Sequence, residues 1–450
     1  VIGAGTGNDV SRALAWGARR VDAVEIDPVI LRLGKKYHPD APYQDPRVHL
    51  HLGDGRNFLR STSRHYDLII FGLVDSLVMH SSYSNIRLES FLFTDQAFAD
   101  VRAHLKPGGW FVAYNYFRRG WIVCRMYKAL TETFGSEPLV LTLPAKPVVN
   151  PQTSGGLTMI ISDPSQRLRT AFRVHPDYWL AAGKPAGPNA PDGFYEDPPP
   201  GEPGHWERFG AAKVQNFRSI KDATDDWPFL YLNHPMVTRL GWEGIATMGG
   251  LAFLMLALFS PGKIKEKKGT GLGPRMFFLG AGFMLVETRA VVYMALLFGT
   301  TWIVNTIVFF AVLVMILLAN LYVLKFHPRD LRGYYAGLVV SLGLNVLIPM
   351  DFFLGISRGL QVLGSCLLVF TPILFAGVIF AVAFNESARA DRDFGVNVAG
   401  AMFGGLAEYS SMLVGFRLLG LIALLFYVLS AVLHPSIERL QSPVIRSESS

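Results

Sequence analysis

The sequence is poor in cysteine and in charged residues. Its 450 residues include only two cysteines, Cys124 and Cys366, which lie in unrelated segments without metal-ligand spacing. The sequence therefore predicts neither a disulfide framework nor a zinc site, and we expect no bound metal. Only 17% of the residues are charged, whereas 50% are hydrophobic. This balance is too apolar for an ordinary soluble protein.

A methionine at position 1 and an internal repeat are also missing. No period of about 20–50 residues stands out, so a repeat array is not predicted. Val1-Ile2 has the character of a strand that is already under way. We therefore expect the natural chain to continue upstream, where a targeting segment or further spans would not be visible in this sequence.

The net charge of +7 does not indicate a nucleic-acid partner. Much of the basic excess lies in short loops between apolar runs, such as the loop that holds Lys263, Lys265, Lys267 and Lys268. Basic loops of this kind set the orientation of membrane proteins. We predict that the chain contacts a lipid bilayer and does not bind nucleic acid.

The second half of the chain contains about seven apolar segments, most of them long enough to cross a bilayer. They lie at 243–260, 276–298, 301–324, 334–354, 359–384, 395–416 and 418–433. The domain prediction is a soluble domain, a Pro/Gly-rich linker with a membrane-proximal segment, a transmembrane region and a polar tail, at 1–165, 166–235, 236–435 and 436–450.

Polar residues within and beside these apolar segments support two further predictions. Glu287 and Arg289 lie in one apolar segment and should each contact another helix or a polar path. Gly280-Ala281-Gly282 and Gly400–Gly405 are typical of close helix packing. Asp225–Tyr231 is interpreted as an interfacial aromatic belt, with a cation-binding Asp pair as the alternative.

The first 162 residues alternate strand-like and helix-like runs. Such alternation predicts an α/β fold, a Rossmann-like doubly wound sheet with helices on both faces. A ligand would bind at the carboxyl ends of the strands. The strand candidates are Val21–Ile26, Val48–Leu52, Tyr66–Phe71, Trp110–Tyr114, Leu139–Leu143 and Leu157–Ile161, and helix candidates are Asn8–Trp16, Pro28–Tyr37 and Thr94–Leu105.

Three short segments near the start have the residues of an adenosine-type ligand site. Glycines after the first strand allow close backbone approach and a sharp turn into a helix. An acidic residue about 20 residues on suits the ribose hydroxyls, and an Asp after the next strand can accept from an adenine amino group. The predicted cofactor-binding residues are Gly3, Gly5, Gly7, Glu25, Asp27, Asp54 and Gly55.

The glycine turn by itself is compatible with NAD, FAD or S-adenosylmethionine. The dinucleotide motif G-x-G-x-x-G requires a third glycine at position 8, where this chain has Asn8. A tight G-x-G-x-G followed by Glu25-x-Asp27 suits an adenosyl sulfonium compound better, because carboxylates favour its positive charge. A glycine turn without a ligand is the remaining interpretation.

Four stretches resemble the spermidine synthase family, while Asp225–Tyr231 and the helix that contains Glu287 resemble its bacterial multi-pass membrane branch. The resemblance to the family runs from residue 1 to about 162 and implies a class I methyltransferase-like fold, which the apolar segments extend with an α-helical transmembrane bundle. It also implies aminopropyl transfer from decarboxylated S-adenosylmethionine to an amine, with Glu25 on the ribose and with Asp54 and Gly55 on the adenine. The stretches are Val24–Asp27, Asp45–Val48, Gly53–Leu59 and Tyr66–Ile70.

Two positions depart from the family pattern. Thr6 stands where the family has an acidic residue in the glycine loop. Gly72 stands where the family has the Asp that helps to deprotonate the attacking amine, and only Asp75 matches the family's second Asp. Because a glycine cannot supply a base, Asp75 is our candidate catalytic residue. His80, just beyond it, is a second candidate base.

The sequence therefore predicts a membrane-bound transferase whose co-substrate is S-adenosylmethionine or its decarboxylated form. Aminopropyl transfer to a small-molecule amine follows from the resemblance, while Gly72 and the glycine loop favour methyl transfer. A domain without catalysis that senses the nucleoside is the third alternative. We expect an integral protein of the bacterial cytoplasmic membrane with its soluble domain in the cytoplasm. The basic loop 261–275 conflicts with that side if 243–260 spans, and homo-oligomerisation stays open.

Overall fold

The structure, a computed structural model, divides into two compact units. Unit 1 comprises Val1–Met236 with Ala295–Val304, and unit 2 comprises Val237–Met294 with Asn305–Ser450. The predicted polar tail 436–450 and most of the Pro/Gly-rich linker lie outside the described residues. The structure describes residues 1–74, 79–81, 84–87, 90–143, 146–174, 210–259, 272–299, 301–387 and 389–433.

Unit 1 is built on a mixed β-sheet that contains all six predicted strands, some of them longer than predicted. Val21–Glu25 is buried along its whole length, as expected for a strand covered on both faces. The described strands are β1 Val21–Glu25, β2 Val48–Leu52, β3 Tyr66–Gly72, β4 Met79–Ser81, β5 Ser84–Arg87, β6 Leu105–Arg119, β7 Leu139–Leu143, β8 Val148–Val149, β9 Ser154–Ser162, β10 Gly210–Ala211 and β11 Lys213–Val214.

Ile2 joins the two halves of this sheet. It forms parallel bridges with Val24 in β1 and with Phe71 in β3, so the spatial order is β2-β1-Ile2-β3-β6-β9-β7-β10. The pairs β1–β2 and β3–β6 are parallel, whereas β9 lies antiparallel between β6 and β7. The predicted doubly wound, Rossmann-like sheet is confirmed, and the carboxyl ends of its central strands meet at one edge.

Helices flank the sheet and begin at the caps that the sequence provides. Asp27 and Thr94 accept hydrogen bonds from backbone N–H groups of the first turns that follow them. Phe98 and Phe111 are fully buried and Phe71 is 1% exposed, which places the core between the sheet and its helices. The helices of unit 1 are α1 Asn8–Ala15, α2 Pro28–Tyr37, α3 Gly55–Ser61, α4 Asp95–Ala103, α5 Gly120–Phe134 and α6 Arg167–Val174.

The segment Asp225–Tyr231 belongs to the interior of unit 1, which corrects the prediction of an interfacial belt. Trp227 is only 2% exposed. Asp225 accepts from Arg56, with 2.7 Å between Arg56 Nη2 and Asp225 Oδ2, so it neutralises a cation of the protein itself. Arg125 holds the chain on both sides of this segment, since its guanidinium donates to the backbone carbonyls of Lys221 and Leu232, both at 2.6 Å.

Asp95 makes the stability of unit 1 depend on pH. Burial, reinforced by the carboxylates of Asp222 and Glu132, raises the pKa of Asp95 to about 6 from 3.8. A raised folded-state pKa stabilises the fold fully below about pH 4, and this stabilisation is lost as the pH rises through about 6. Asp95→Asn should therefore raise the melting temperature of unit 1 by about 2–4 °C at pH 7.5 and leave it unchanged at pH 4. Equal shifts at both pH values would contradict this assignment.

Unit 2 is helical, and four of its described helical stretches are long and apolar enough to cross a membrane. These stretches are Gly273–Phe298, Val304–Phe326, Gly359–Asn385 and Ala390–Val432. Membrane crossing stays a prediction for these stretches and for the remaining apolar segments. The described helices after residue 236 are α7 Arg239–Phe259, α8 Leu272–Phe298, α9 Trp302–Phe326, α10 Arg332–Leu347, α11 Arg358–Asn385, α12 Ala390–Ala407 and α13 Ser411–Val432.

The small residues of α8 and α12 allow the two backbones to touch, which confirms the predicted close packing. A Cβ added at Gly280 would overlap the carbonyl oxygen of Asn397, and one added at Gly400 would overlap that of Phe277. Arg289 contacts a neighbouring helix as predicted, because its Nη2 donates to the backbone carbonyl of Asn345 at 3.0 Å.

Candidate functional site

The glycine loop has a backbone that only glycine adopts easily. Gly3, Gly5 and Gly7 have φ values of 72°, 58° and 113°, all in the left-handed region. A Cβ at Gly7 would lie 2.8 Å from the Pro42 side chain, whereas a Cβ at Gly5 would meet nothing nearer than 3.9 Å. The loop is therefore packed against Pro42 at Gly7. The space beside Gly5 is open, so a ligand can approach the backbone there.

Glu25, at the carboxyl end of β1, holds this loop. Its Oε2 accepts from the Gly5 N–H at 2.8 Å and its Oε1 accepts from the Asp27 N–H at 2.9 Å. The residue is only 6% exposed. Because a carboxylate has about four acceptor positions, about two remain for the hydroxyls of a ligand. Contact of Glu25 with a ribose stays a prediction.

Asp27 and Asp54 both cap helices at the same edge of the sheet. Asp27 Oδ1 accepts from the Val29 N–H at 2.7 Å, which starts α2. Asp54 Oδ1 accepts from the Asn57 N–H at 2.8 Å, which starts α3. These caps fix where the helices begin. Contact of the two carboxylates with a ligand stays a prediction.

Gly55 is the first residue of α3 and lies against Ile2, between β1 and β3. A Cβ at this position would overlap the side chain of Ile2. This glycine therefore permits close helix–sheet packing, and its N–H, in the first helical turn, has no acceptor within the helix. Adenine recognition by this N–H stays a prediction.

Tyr43 supports the glycine loop from below, and sequence reasoning missed it. Its hydroxyl donates to the carbonyls of Gly5 at 2.8 Å and Ala4 at 3.1 Å. Burial, followed by the negative charges of Glu25 and Asp9, raises the pKa of Tyr43 above its ordinary value, so the hydroxyl stays a donor. Tyr43 lies 38 residues from Gly5, and no local motif marks it.

Asp9, Tyr114 and Gly72 meet at the end of β3. Gly72 pairs with Tyr114 across β3 and β6, and the Tyr114 hydroxyl donates to Asp9 Oδ2 at 2.6 Å. A Cβ at Gly72 would overlap that Asp9 oxygen and lie 2.8 Å from the Tyr114 hydroxyl. The space that a side chain at 72 would need is thus filled by a carboxylate from α1.

The predicted catalytic Asp75 and the side chain of His80 lie outside the described residues. Within the described part of the chain, no group of three or more His, Cys, Asp or Glu side chains is placed to hold a metal ion. The carboxyl edge of the sheet therefore has one described set of functional groups: the open glycine loop, the carboxylates that follow β1 and β2, and the Asp9–Tyr114 pair.

Comparison with known proteins identifies the same part of the chain. Residues 1–145 match the family model of the spermine/spermidine synthase domain. A polyamine aminopropyltransferase of Korarchaeum cryptofilum is 30% identical over 140 residues, which cover 30% of this chain and 40% of that protein. Spermidine synthase 1 of Hyoscyamus niger is 34% identical over 114 residues, which cover 24% and 33%. The matched part is thus well under half the length of either relative.

Solved structures similar to the chain include a spermidine synthase in complex with the transition-state analogue AdoDATO, at 19% identity and a TM-score of 0.27. That match covers 36% of this chain and 51% of the other. Human methyltransferase-like protein 13 in complex with SAH matches at 16% identity and a TM-score of 0.28, over 41% and 82%. Over residues 1–145 the chain is similar to the spermine/spermidine synthase family, as its sequence predicted.

Proposed function

We propose that this chain is a membrane-anchored transferase that moves an aminopropyl group from decarboxylated S-adenosylmethionine to an amine. The observation that carries the proposal is the open glycine loop, held by Glu25 at the carboxyl edge of a domain that matches the spermine/spermidine synthase model. In doubly wound folds, ligands bind in crevices at this edge of the sheet.

The residues present fit an adenosyl donor. Gly5 leaves room for the ligand beside its backbone, and Glu25 retains acceptor positions for the ribose hydroxyls. Asp54 and Gly55, after β2, would take the adenine. Glu25 and Asp27 bring negative charge to the edge where the sulfonium of the donor would lie, and Asp9 brings negative charge to the end of β3, where a cationic amine would approach.

Unit 2 would anchor the enzyme in a lipid bilayer. Helix α9 exposes apolar side chains along much of its length, among them Phe310 at 66% and Leu313 at 64%. An apolar surface of this extent is costly in water and is normally covered by lipid or by another protein. We place the chain in the bacterial cytoplasmic membrane with unit 1 in the cytoplasm, where an adenosyl donor is available.

One observation favours methyl transfer as a second candidate. Gly72 provides no carboxylate at the position where the aminopropyltransferases carry a base.

The donors of the two reactions differ by one carboxylate, which S-adenosylmethionine carries and its decarboxylated form lacks. A site rich in Asp and Glu should reject the additional negative charge.

Calorimetry on the full-length chain in detergent micelles distinguishes the two candidates. We expect decarboxylated S-adenosylmethionine to bind at least about tenfold more tightly than S-adenosylmethionine, a difference of about 1.4 kcal/mol. The reverse order would replace aminopropyl transfer by methyl transfer. If the decarboxylated donor bound but no diamine or polyamine of a panel received the aminopropyl group, the chain would be a nucleoside sensor without catalysis.

A further inference from the structure

The carboxylate that Gly72 cannot provide is available from another element. We propose that Asp9, in the first turn of α1, is the base that takes the proton from the acceptor amine; this rests on the proposed aminopropyl transfer. Asp9 Oδ2 occupies the volume that the first side-chain carbon at 72 would fill. Relative to the family pattern, the acid has moved from β3 to α1.

Three features of the structure hold Asp9 at this place. The neighbouring Val10 is completely buried and anchors α1 in the core. Tyr114 donates to Asp9 Oδ2 at 2.6 Å from the adjacent strand β6. Gly72 contributes the space, because any side chain at 72 would displace the carboxylate. Among the described residues, no other donor bonds to Asp9, so its Oδ1 is available to an incoming N–H.

Tyr114 orients the carboxylate and is a poor candidate for the base itself. Burial, together with the hydrogen bond to Asp9 and the charge of Asp9, raises the pKa of the Tyr114 phenol. The phenol therefore keeps its proton and acts as a donor. It is a positioning residue, whereas Asp9 would touch the reacting nitrogen.

The transfer step needs no further group. The acceptor binds as an ammonium and gives one proton to the Asp9 carboxylate; its freed electron pair then attacks the carbon of the aminopropyl group that is bonded to the sulfonium, and the product nitrogen takes over the positive charge of the sulfur. A C–N bond forms, the C–S bond breaks, and the bond's electrons neutralise the sulfur as a thioether. A positioned base contributes about 10²–10⁴-fold to such a step.

The test compares Asp9→Asn, Asp9→Glu and the control Asp40→Asn in the full-length protein. Asp40 is an exposed carboxylate that also contacts α1, since it accepts from the Ser11 hydroxyl. We expect Asp9→Asn to lower kcat at least about 100-fold with donor affinity, measured by calorimetry, within about threefold of the unaltered protein. Asp9→Glu keeps a carboxylate and should recover about tenfold of that loss, and Asp40→Asn should change neither quantity.

A relocation variant adds a result that a structural role of Asp9 would not give. In Asp9→Ala/Gly72→Asp the carboxylate that a Cβ at 72 would overlap is removed, and the closest remaining atom, 2.8 Å away, is the hydroxyl at the end of the Tyr114 side chain. The acid returns to β3, so kcat should exceed that of Asp9→Ala. Unchanged kcat in Asp9→Asn, or a parallel loss of donor binding and kcat, would overturn the assignment. Absence of transfer by the unaltered protein would overturn the proposed function itself and this inference with it.

Discussion

Replacing Arg56 with methionine is expected to destabilise unit 1 by about 3 kcal/mol. Arg56 is 2% exposed and forms a two-pronged pair with Asp225. Its Nε also lies 3.1 Å from Asp100. Removing the guanidinium leaves the buried Asp225 carboxylate without its main counter-charge, and Arg60, at 3.6 Å, compensates only in part.

Amide hydrogen exchange of unit 1 in the full-length, detergent-solubilised chain measures this loss. A change of about 3 kcal/mol corresponds to exchange on the order of 100-fold faster for amides that open globally. The matched control is Arg47→Met, which removes the pair between Arg47 and Asp45 at the surface. Because exposed pairs contribute little, the control should exchange like the unaltered chain.

A double variant separates the pair from the burial of its members. In Arg56→Met/Asp225→Leu no carboxylate is left unpaired at position 225, and Asp100 retains Arg60 at 2.9 Å. The double variant should therefore be more stable than Arg56→Met alone. If Arg56→Met exchanged no faster than Arg47→Met, the pair would contribute nothing to the stability of unit 1.

The strands of unit 1 were predictable because their signals are local. Leu139–Leu143 is a short, mostly apolar run and occurs as predicted, and β1 differs from the predicted Val21–Ile26 by one residue. β6 is longer than the predicted Trp110–Tyr114. Its last part, Asn115–Arg119, has only two apolar residues and buries the polar Asn115, and it becomes a strand because it pairs with β9. Such pairing is tertiary and cannot be seen in the pattern of one segment.

The candidate site divides in the same way. The glycine loop and Glu25 follow from composition and spacing, since each lies where a strand ends and a helix follows. Asp9 and Tyr114 are 105 residues apart, and nothing in either segment indicates that they meet. The sequence shows Gly72 only as a missing acid; the structure adds that an acid from another helix occupies the space beside it. The pair Arg56–Asp225, 169 residues apart, escaped prediction for the same reason.

Glu25→Gln is expected to weaken the binding of decarboxylated S-adenosylmethionine by about 100-fold. The Gln amide nitrogen cannot accept, so either the Gly5 N–H or the Asp27 N–H loses its acceptor. Hydrogen bonds to charged groups contribute about 1.5–3 kcal/mol each, and the ribose hydroxyls lose a charged acceptor as well. A total near 3 kcal/mol corresponds to about two orders of magnitude in affinity.

The matched control for Glu25→Gln is Asp67→Asn. Asp67 lies near the amino end of β3, its side chain is 85% exposed, and it pairs with Lys106 at 2.8 Å. The control changes the charge of unit 1 by the same amount, but at the opposite edge of the sheet, and donor affinity should be unchanged. Calorimetry of both variants decides between two roles for Glu25. If Glu25→Gln bound the donor as tightly as Asp67→Asn, Glu25 would only brace the glycine loop, and the ribose would have to be held by another acceptor at this edge.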